Sequence, residues 1–318
     1  MMAIKRLSER NGADLDVLDC LNTCTTCGIC TDNCPAGIEP PSLIEDARKM
    51  LVSLGIMTGK QRGLSQKVKF SGNSFGETRS RMSWLSEGRM PDKADYVYFA
   101  GCLASYRYPE TAAKTFDLLR RFGATLLPDE KCCGSPLLRT GFDAKEVMDS
   151  NLSQMKDIGA GTIITGCAGC YATLKNEYPH EFDVVSVPEF LAEHMDELDL
   201  RPLNLRVTYH DPCHLGRRHK IFDQPREVIR AICDLVEMKA NKNRSRCCGA
   251  GGGVRSGYRD LSLKLAKRRL EDVPPNIDFI VTSCPLCVRN LNDAGGDGKV
   301  IDLVELVSKS MESKSMDP

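Results

Sequence analysis

Ten of the sixteen cysteines of this 318-residue chain fall into one five-cysteine pattern written twice. The first copy is Cys102, then Cys132-Cys133-Gly134, then Cys167-x-x-Cys170; the second is Cys213, then Cys247-Cys248-Gly249, then Cys284-x-x-Cys287. A chain built this way must fold into two related units, each bringing its own cysteines together. Five thiols per copy is one more than a tetrahedral zinc or an ordinary four-iron cubane takes from protein. The repeat therefore points to an unusual metal centre, present twice. A pair of zinc sites or of disulfides leaves the fifth thiol of each copy unexplained.

The repeat extends beyond the cysteines. YVYFAGC (96–102) matches LRVTYHDPC (205–213), and TIITGCAGC matches DFIVTSCPLC: short β-rich runs that end at cysteine. PETAAKTFDLLRRFG matches QPREVIRAICDLV, and KEVMDSNLSQMKDIG matches RDLSLKLAKRRLED, with apolar residues at helical spacing. FDVVSVPEFLAEHM and GKVIDLVELVSKS close the two copies. Strands alternating with helices predict a parallel α/β sheet in each half. Open sheets of this kind place their sites outside the carboxyl ends of the strands, where Cys102, Cys167, Cys170, Cys213, Cys284 and Cys287 fall. The CCG turns must fold in to join them. Two related halves are expected to face each other with their cysteine ends together.

Ahead of the repeat stands Cys24-x-x-Cys27-x-x-Cys30-x-x-x-Cys34-Pro35, the ferredoxin-type run for a cubane cluster. In two-cluster ferredoxins the fourth cysteine serves the other cluster, and this chain has one run only. The expected cubane ligands are Cys24, Cys27 and Cys30 with Cys34; the alternatives are Cys20 as the fourth, or a cluster shared with a partner. A helix is expected over SLIEDARKMLVSLG, with Ser42 as its cap and Glu45 completing a capping box. The domain reading is a ferredoxin-like domain at 1–57, a linker or arm at 58–93, a first α/β half at 94–200 and a second at 201–318.

Other residues near the motifs carry weaker signals. The glycine run Gly249-Ala250-Gly251-Gly252-Gly253 suits close approach of backbone to a cluster or substrate, and lacks the Lys-Ser/Thr of a phosphate loop. Arg217, Arg218, Lys220 and Arg255 lie near the second motif, and Arg107 and Arg139 near the first. They are candidates for an anionic substrate or for balancing cluster charge, although each alone suits a solvated surface role. His210 and His214 flank Cys213 as candidate hydrogen-bond or proton donors, with a structural hydrogen bond the simpler role. Cys233 reads as core.

Equal numbers of basic and acidic residues, 43 each, argue against a nucleic-acid partner. No apolar run reaches the ~20 residues of a membrane-spanning helix. MMAIKRLSERNGADLD turns polar too early for a signal peptide. A cytoplasmic chain is expected, one able to dock peripherally on the inner face of a membrane. Clustered cysteines there are metal ligands or redox groups more often than disulfides.

The motifs GCLASYR, KCCG, GCAGCY, HDPCHLGR, CCGAGGGVR and SCPLC resemble those of the cysteine-rich CCG-domain proteins, which include the catalytic subunit of heterodisulfide reductase. GNSFGETRSRMSWL resembles the segment joining ferredoxin and CCG parts in the fused relatives, which usually carry two cubane motifs where this chain has one. The resemblance implies one cubane 4Fe–4S cluster and two noncubane 4Fe–4S clusters. The first noncubane cluster would use Cys102, Cys132, Cys133, Cys167 and Cys170, and the second Cys213, Cys247, Cys248, Cys284 and Cys287. It further implies an oxidoreductase that reduces a disulfide held between the two noncubane clusters, with the coenzyme M–coenzyme B heterodisulfide as the family substrate. The implied partner is an electron-donor subunit, either a flavin iron–sulfur protein or a membrane cytochrome. The alternative is a non-catalytic relay subunit of a glycolate, lactate or glycerol-3-phosphate oxidoreductase. A zinc-stabilised scaffold is a third reading. The chain carries no H-E-x-x-H helix or Rossmann fingerprint that would add other chemistry.

Overall fold

Each copy of the repeat folds into a four-stranded, all-parallel sheet. The structure, a computed structural model, describes residues 4–5, 15–85 and 90–312. Most of the polar N-terminal stretch and residues 313–318 lie outside the described residues.

In the first half the strands are β1 (Tyr96–Tyr98), β2 (Thr125–Leu126), β3 (Thr162–Thr165) and β4 (Asp183–Ser186), in the order β2-β1-β3-β4. In the second they are β5 (Arg206–Tyr209), β6 (Asp234–Leu235), β7 (Phe279–Thr282) and β8 (Val300–Asp302), in the order β6-β5-β7-β8. The two orders are the same, as a duplication requires. The central strands β1, β3, β5 and β7 carry β-branched and aromatic residues buried on both faces, which parallel sheets covered by helices need.

The halves face each other and share their cores. One core joins Val97, Ile163 and Leu174 of the first half to Ala266, Ile280 and Leu291 of the second. The other joins Phe116, Val187 and Leu191 to Val228, Ile229 and Leu303. Helix Val187–Glu193 lies on helix Gln224–Ile232, and helix Pro109–Leu119 lies on helix Leu303–Glu312. The halves thus meet helix on helix, and helices Val187–Glu193, Gln224–Ile232 and Leu303–Glu312 each pack on the sheet of their own half.

Ahead of the sheets, helices Leu15–Asn22, Ile29–Asp32 and Pro40–Ser53 frame the ferredoxin-type run around a small core of Val17, Leu21, Ile44, Ala47 and Leu51. The third helix begins two residues before the expected cap. Pro40 and Pro41 supply the preset φ of a first turn, so Glu39 takes the cap position and Ser42 hydrogen-bonds Glu39 from inside the helix. A full capping box forms instead at Thr58 and Gln61, opening helix Gly59–Ser71. Residues 72–85 follow that helix and lie on the first half: Gly72 O accepts from Cys132 N at 2.7 Å, and Arg79 donates to Tyr106 O. No helix among the described residues is long and apolar enough to cross a membrane.

Candidate metal centre

All ten repeat cysteines lie at the carboxyl ends of the strands. Cys102 follows β1 and enters helix Gly101–Arg107; Cys167 follows β3 and precedes helix Ala168–Glu177, which carries Cys170. Cys213 follows β5, and Cys284 follows β7 ahead of helix Pro285–Leu291, which carries Cys287. The CCG turns fold in as expected, and none of the described cysteines is in a disulfide.

The thiols form one unbroken line. In the first half Cys102 faces Cys132, Cys132 faces Cys133, Cys133 faces Cys170 and Cys170 faces Cys167. Cys167 then meets Cys284 across the junction between the halves. From there Cys284 faces Cys287, the Cys287 Sγ lies 3.3 Å from the Cys248 Sγ, Cys248 faces Cys247, and Cys247 faces Cys213. Cys247 also meets Cys27 of the ferredoxin-type run. Each five-cysteine set therefore converges, and the second set touches the cubane motif.

Neighbouring thiols share protons unequally. Hydrogen bonds from Cys132 and Cys170 pull the Cys133 thiol down to about 6. Its counterpart Cys248 is pulled well below the ordinary thiol value by Cys247 and Cys287. The thiols that donate, Cys170 and Cys287, are pushed well above it. The second cysteine of each CCG turn is thus the acceptor at the middle of its set, poised to act as thiolate, which is the form that binds metal.

Backbone amides stabilise the sulfurs as well. Thr26 N donates to Cys24 Sγ at 3.4 Å and Gly249 N to Cys247 Sγ at 3.3 Å. Amides two residues on do the same at Cys27, Cys132, Cys133 and Cys248. Buried, mutually touching thiols that receive N–H donors suit iron–sulfur ligation, where hydrogen bonds to sulfur are a standard means of tuning. In this sense the residues fit the implied clusters.

In the ferredoxin-type run, Cys24 lies near Cys27 and Cys30, and burial pushes its thiol up. Cys34 is half-buried in the turn after helix Ile29–Asp32, and Cys20 is exposed on helix Leu15–Asn22. In place of the expected cluster or substrate, what packs against the glycine run is the backbone of the ferredoxin-type run. A Cβ at Gly251 would sit 2.6 Å from Thr25 O, and one at Gly252, which holds φ +59°, would sit 2.3 Å from Cys24 O.

Arg217 and Arg139 are buried and Arg218 and Arg255 partly so, whereas Lys220 is exposed and solvated. Arg217 is 4% exposed, donates to Cys27 O and pairs with Asp32. Arg218 donates to Thr26 O and pairs with Glu45, and Lys220 pairs with Asp32. Arg139 pairs with Glu45 and Glu177, while its Nε and Nη2 have no partner. Arg255 bonds Asn290 and pairs with Asp293; Arg107 pairs with Glu77 and lies over the Phe75 ring. Three of the six, Arg217, Arg218 and Lys220, thus fasten the cubane motif to the second half, and Arg139 ties the helix that follows the motif to the first. Cys233 is half-buried at the end of helix Gln224–Ile232 and packs on the second core.

His210 comes closer to the thiols than sequence order implied. One of its ring nitrogens and the Cys248 and Cys287 sulfurs lie within 4.8 Å of one another. Arg269 Nε donates to His210 Nδ1 at 3.0 Å, which leaves the imidazole proton on Nε2, a buried atom without a partner. Burial and Arg269 hold its pKa down to about 3, so the ring stays neutral. His214 is held by the Thr26 backbone carbonyl, and burial with Arg218 beside it likewise takes it to about 3.

Arg48 gave no signal in the sequence. It is 1% exposed and donates to four backbone carbonyls: Leu21 O, Cys24 O, Arg139 O and Gly252 O. One guanidinium thus ties the cubane motif to both halves.

Residues 96–175 and 207–292 match the cysteine-rich domain CCG. The chain is 37% identical to a subunit of the dihydromethanophenazine:CoB–CoM heterodisulfide reductase of Methanosarcina barkeri, over 92% of this chain and 78% of that one. It is 36% identical to a subunit of the CoM/CoB fumarate reductase of Methanothermobacter marburgensis, over 90% of this chain and 61% of that one. It is 31% identical to the EtfAB:quinone oxidoreductase of Syntrophomonas wolfei, over 91% of this chain and 46% of that one. These relatives are oxidoreductases or parts of them.

Proposed function

Because the chain belongs to the cysteine-rich CCG-domain family, with a subunit of a heterodisulfide reductase among its relatives, we propose that it is the disulfide-reducing iron–sulfur subunit of a heterodisulfide-reductase-like complex. The observation that carries this reading is the unbroken thiol line from Cys27 to Cys102, with both five-cysteine sets complete. Cys24, Cys27, Cys30 and Cys34 would hold one cubane 4Fe–4S cluster. Cys102, Cys132, Cys133, Cys167 and Cys170 would hold one noncubane 4Fe–4S cluster, and Cys213, Cys247, Cys248, Cys284 and Cys287 a second. Bound there, the clusters would store and deliver single electrons, and the two noncubane ones would take the sulfurs of a disulfide. That chemistry needs no free protein thiolate to attack the disulfide.

The chain's own residues hold and insulate this path. Arg48, Arg217 and Arg218 fix the cubane motif against the second half through its carbonyls. The Cys167–Cys284 junction is where a small disulfide could reach both halves. The substrate of this reading is the coenzyme M–coenzyme B heterodisulfide, and the electron donor is a flavin iron–sulfur protein or a membrane cytochrome.

The test is dye-linked turnover. Anaerobically purified protein with reduced methyl viologen should bleach the dye when the heterodisulfide is added, and Cys248→Ala should not. Wild-type protein that leaves every disulfide intact, yet passes electrons from a reduced flavoprotein to a quinone, would support the relay reading suggested by the quinone oxidoreductase relative.

A further inference from the structure

We propose that Arg81 is a positioning residue of the first five-cysteine site, donating a hydrogen bond to Cys102 that makes this site the more easily reduced of the two. The inference rests on the reading that both sites hold a cluster. Arg81 belongs to residues 72–85, outside either repeat.

The geometry is specific. The Arg81 Nη2 lies 3.3 Å from the Cys102 Sγ and 3.3 Å from Gly72 O, while Nη1 lies 2.8 Å from Glu130 Oε1. The side chain is 9% exposed and its guanidinium lies 5.5 Å from the centre of the Tyr106 ring. Glu130 is fixed in turn, since it accepts from Ala100 N at 2.8 Å and Gly101 N at 2.9 Å. Ser74 N, from the same segment, also donates to Cys102. Two donors, one of them cationic, therefore reach a single sulfur at the outer end of the first site.

The second site is built differently at the corresponding place. Cys213 and Cys247 there face Cys27, a ligand of the proposed cubane. A cationic donor favours the more negative, reduced state of a cluster, and nearby thiolates oppose it. Arg81 and Cys27 thus pull the two sites apart in opposite directions. Electrons that enter at the cubane side then find a lower-energy site farther along the line.

The pair of variants Arg81→Met and Glu130→Gln separates this role from plain scaffolding. Anaerobic redox titration followed by EPR gives the potentials, with the first-site signal identified as the one that Cys133→Ala removes. A hydrogen bond to a charged group is worth enough that Arg81→Met should lower the ratio of reduced to oxidised first site by about tenfold at a fixed potential. Second-site and cubane signals should stay in place. Glu130→Gln strips the counter-charge from Arg81 and should move the first-site ratio the opposite way. Unchanged ratios in variants that keep wild-type iron would overturn the proposal, as would shifts of the same sign. If Arg81→Met loses iron, the sign of the Glu130→Gln shift decides. Wild-type protein with iron for the cubane alone would instead defeat the two-cluster reading, so the two failures are distinguishable.

Discussion

The two halves share a strand order and a thiol arrangement, and differ in what closes the outer end of each site. In the second half that end meets the cubane motif, with Cys27 on Cys247. In the first half it meets residues 72–81, with Arg81 and Ser74 on Cys102. A second difference lies inside. The residue two positions before the glycine of β1's GC pair is Phe99, and its counterpart ahead of Cys213 is His210. Phe99 is fully buried in the apolar core, whereas His210 brings a ring nitrogen to the second-site thiols. The two sites thus differ in their covers: the second abuts the ferredoxin-type run and the first abuts a buried arginine.

The largest expected effect would erase the comparison altogether. Cys133→Ala and Cys248→Ala remove the central thiolate of one set each, and each should abolish disulfide turnover. Full activity in either variant, measured by dye bleaching, would mean that one half suffices.

Next comes the joint between the cubane motif and the halves. Arg48→Met strands four buried carbonyls and should cost about 3 kcal/mol or more, read as a lower midpoint in anaerobic denaturation. An unchanged midpoint would show that the joint rests elsewhere. Gly252→Ala tests the same seam from the other side, because its Cβ would overlap Cys24 O. Overpacking of this kind costs about 1–3 kcal/mol. The variant should slow reduction of the second site by an external donor more than it slows direct chemical reduction. Equal slowing by both routes would locate the electron entrance elsewhere.

His210→Phe copies the first half into the second. It should shift the second-site potential and leave the first-site signal alone, at a stability cost of about 1–3 kcal/mol from the stranded Arg269 Nε. The smallest effect is expected from Cys20→Ser. With Cys34 as fourth cubane ligand, the exposed Cys20 is replaceable and the cubane spectrum should not change. Loss of that spectrum would reverse the assignment.

Much of this was legible in the chain. The aligned strand runs located β1, β3, β5 and β7, and the rule that sites lie at carboxyl strand ends put the cysteines where they are. The glycine run signalled a close approach, but its neighbour is the protein backbone at Cys24 and Thr25, where a cluster or substrate was expected. What stayed hidden depends on contacts between distant segments. Arg48 bonds carbonyls that lie 24 to 204 positions away, and a carbonyl has no sequence signature. Arg81 reaches Cys102 because residues 72–85 fold over the first half, a placement that their Gly, Ser and Arg content does not encode. The capping box was misplaced at Ser42 because two prolines set the helix start by φ rather than by a side-chain cap.

The central claim is that each five-cysteine set holds its own iron–sulfur cluster. Iron, acid-labile sulfide and zinc per chain, measured on protein purified without oxygen, test it most directly. The account predicts about twelve irons and as many sulfides, with little zinc, for three four-iron clusters. About four irons with zinc present would contradict it, leaving the cubane motif as the sole iron site and the two thiol sets as structural metal sites.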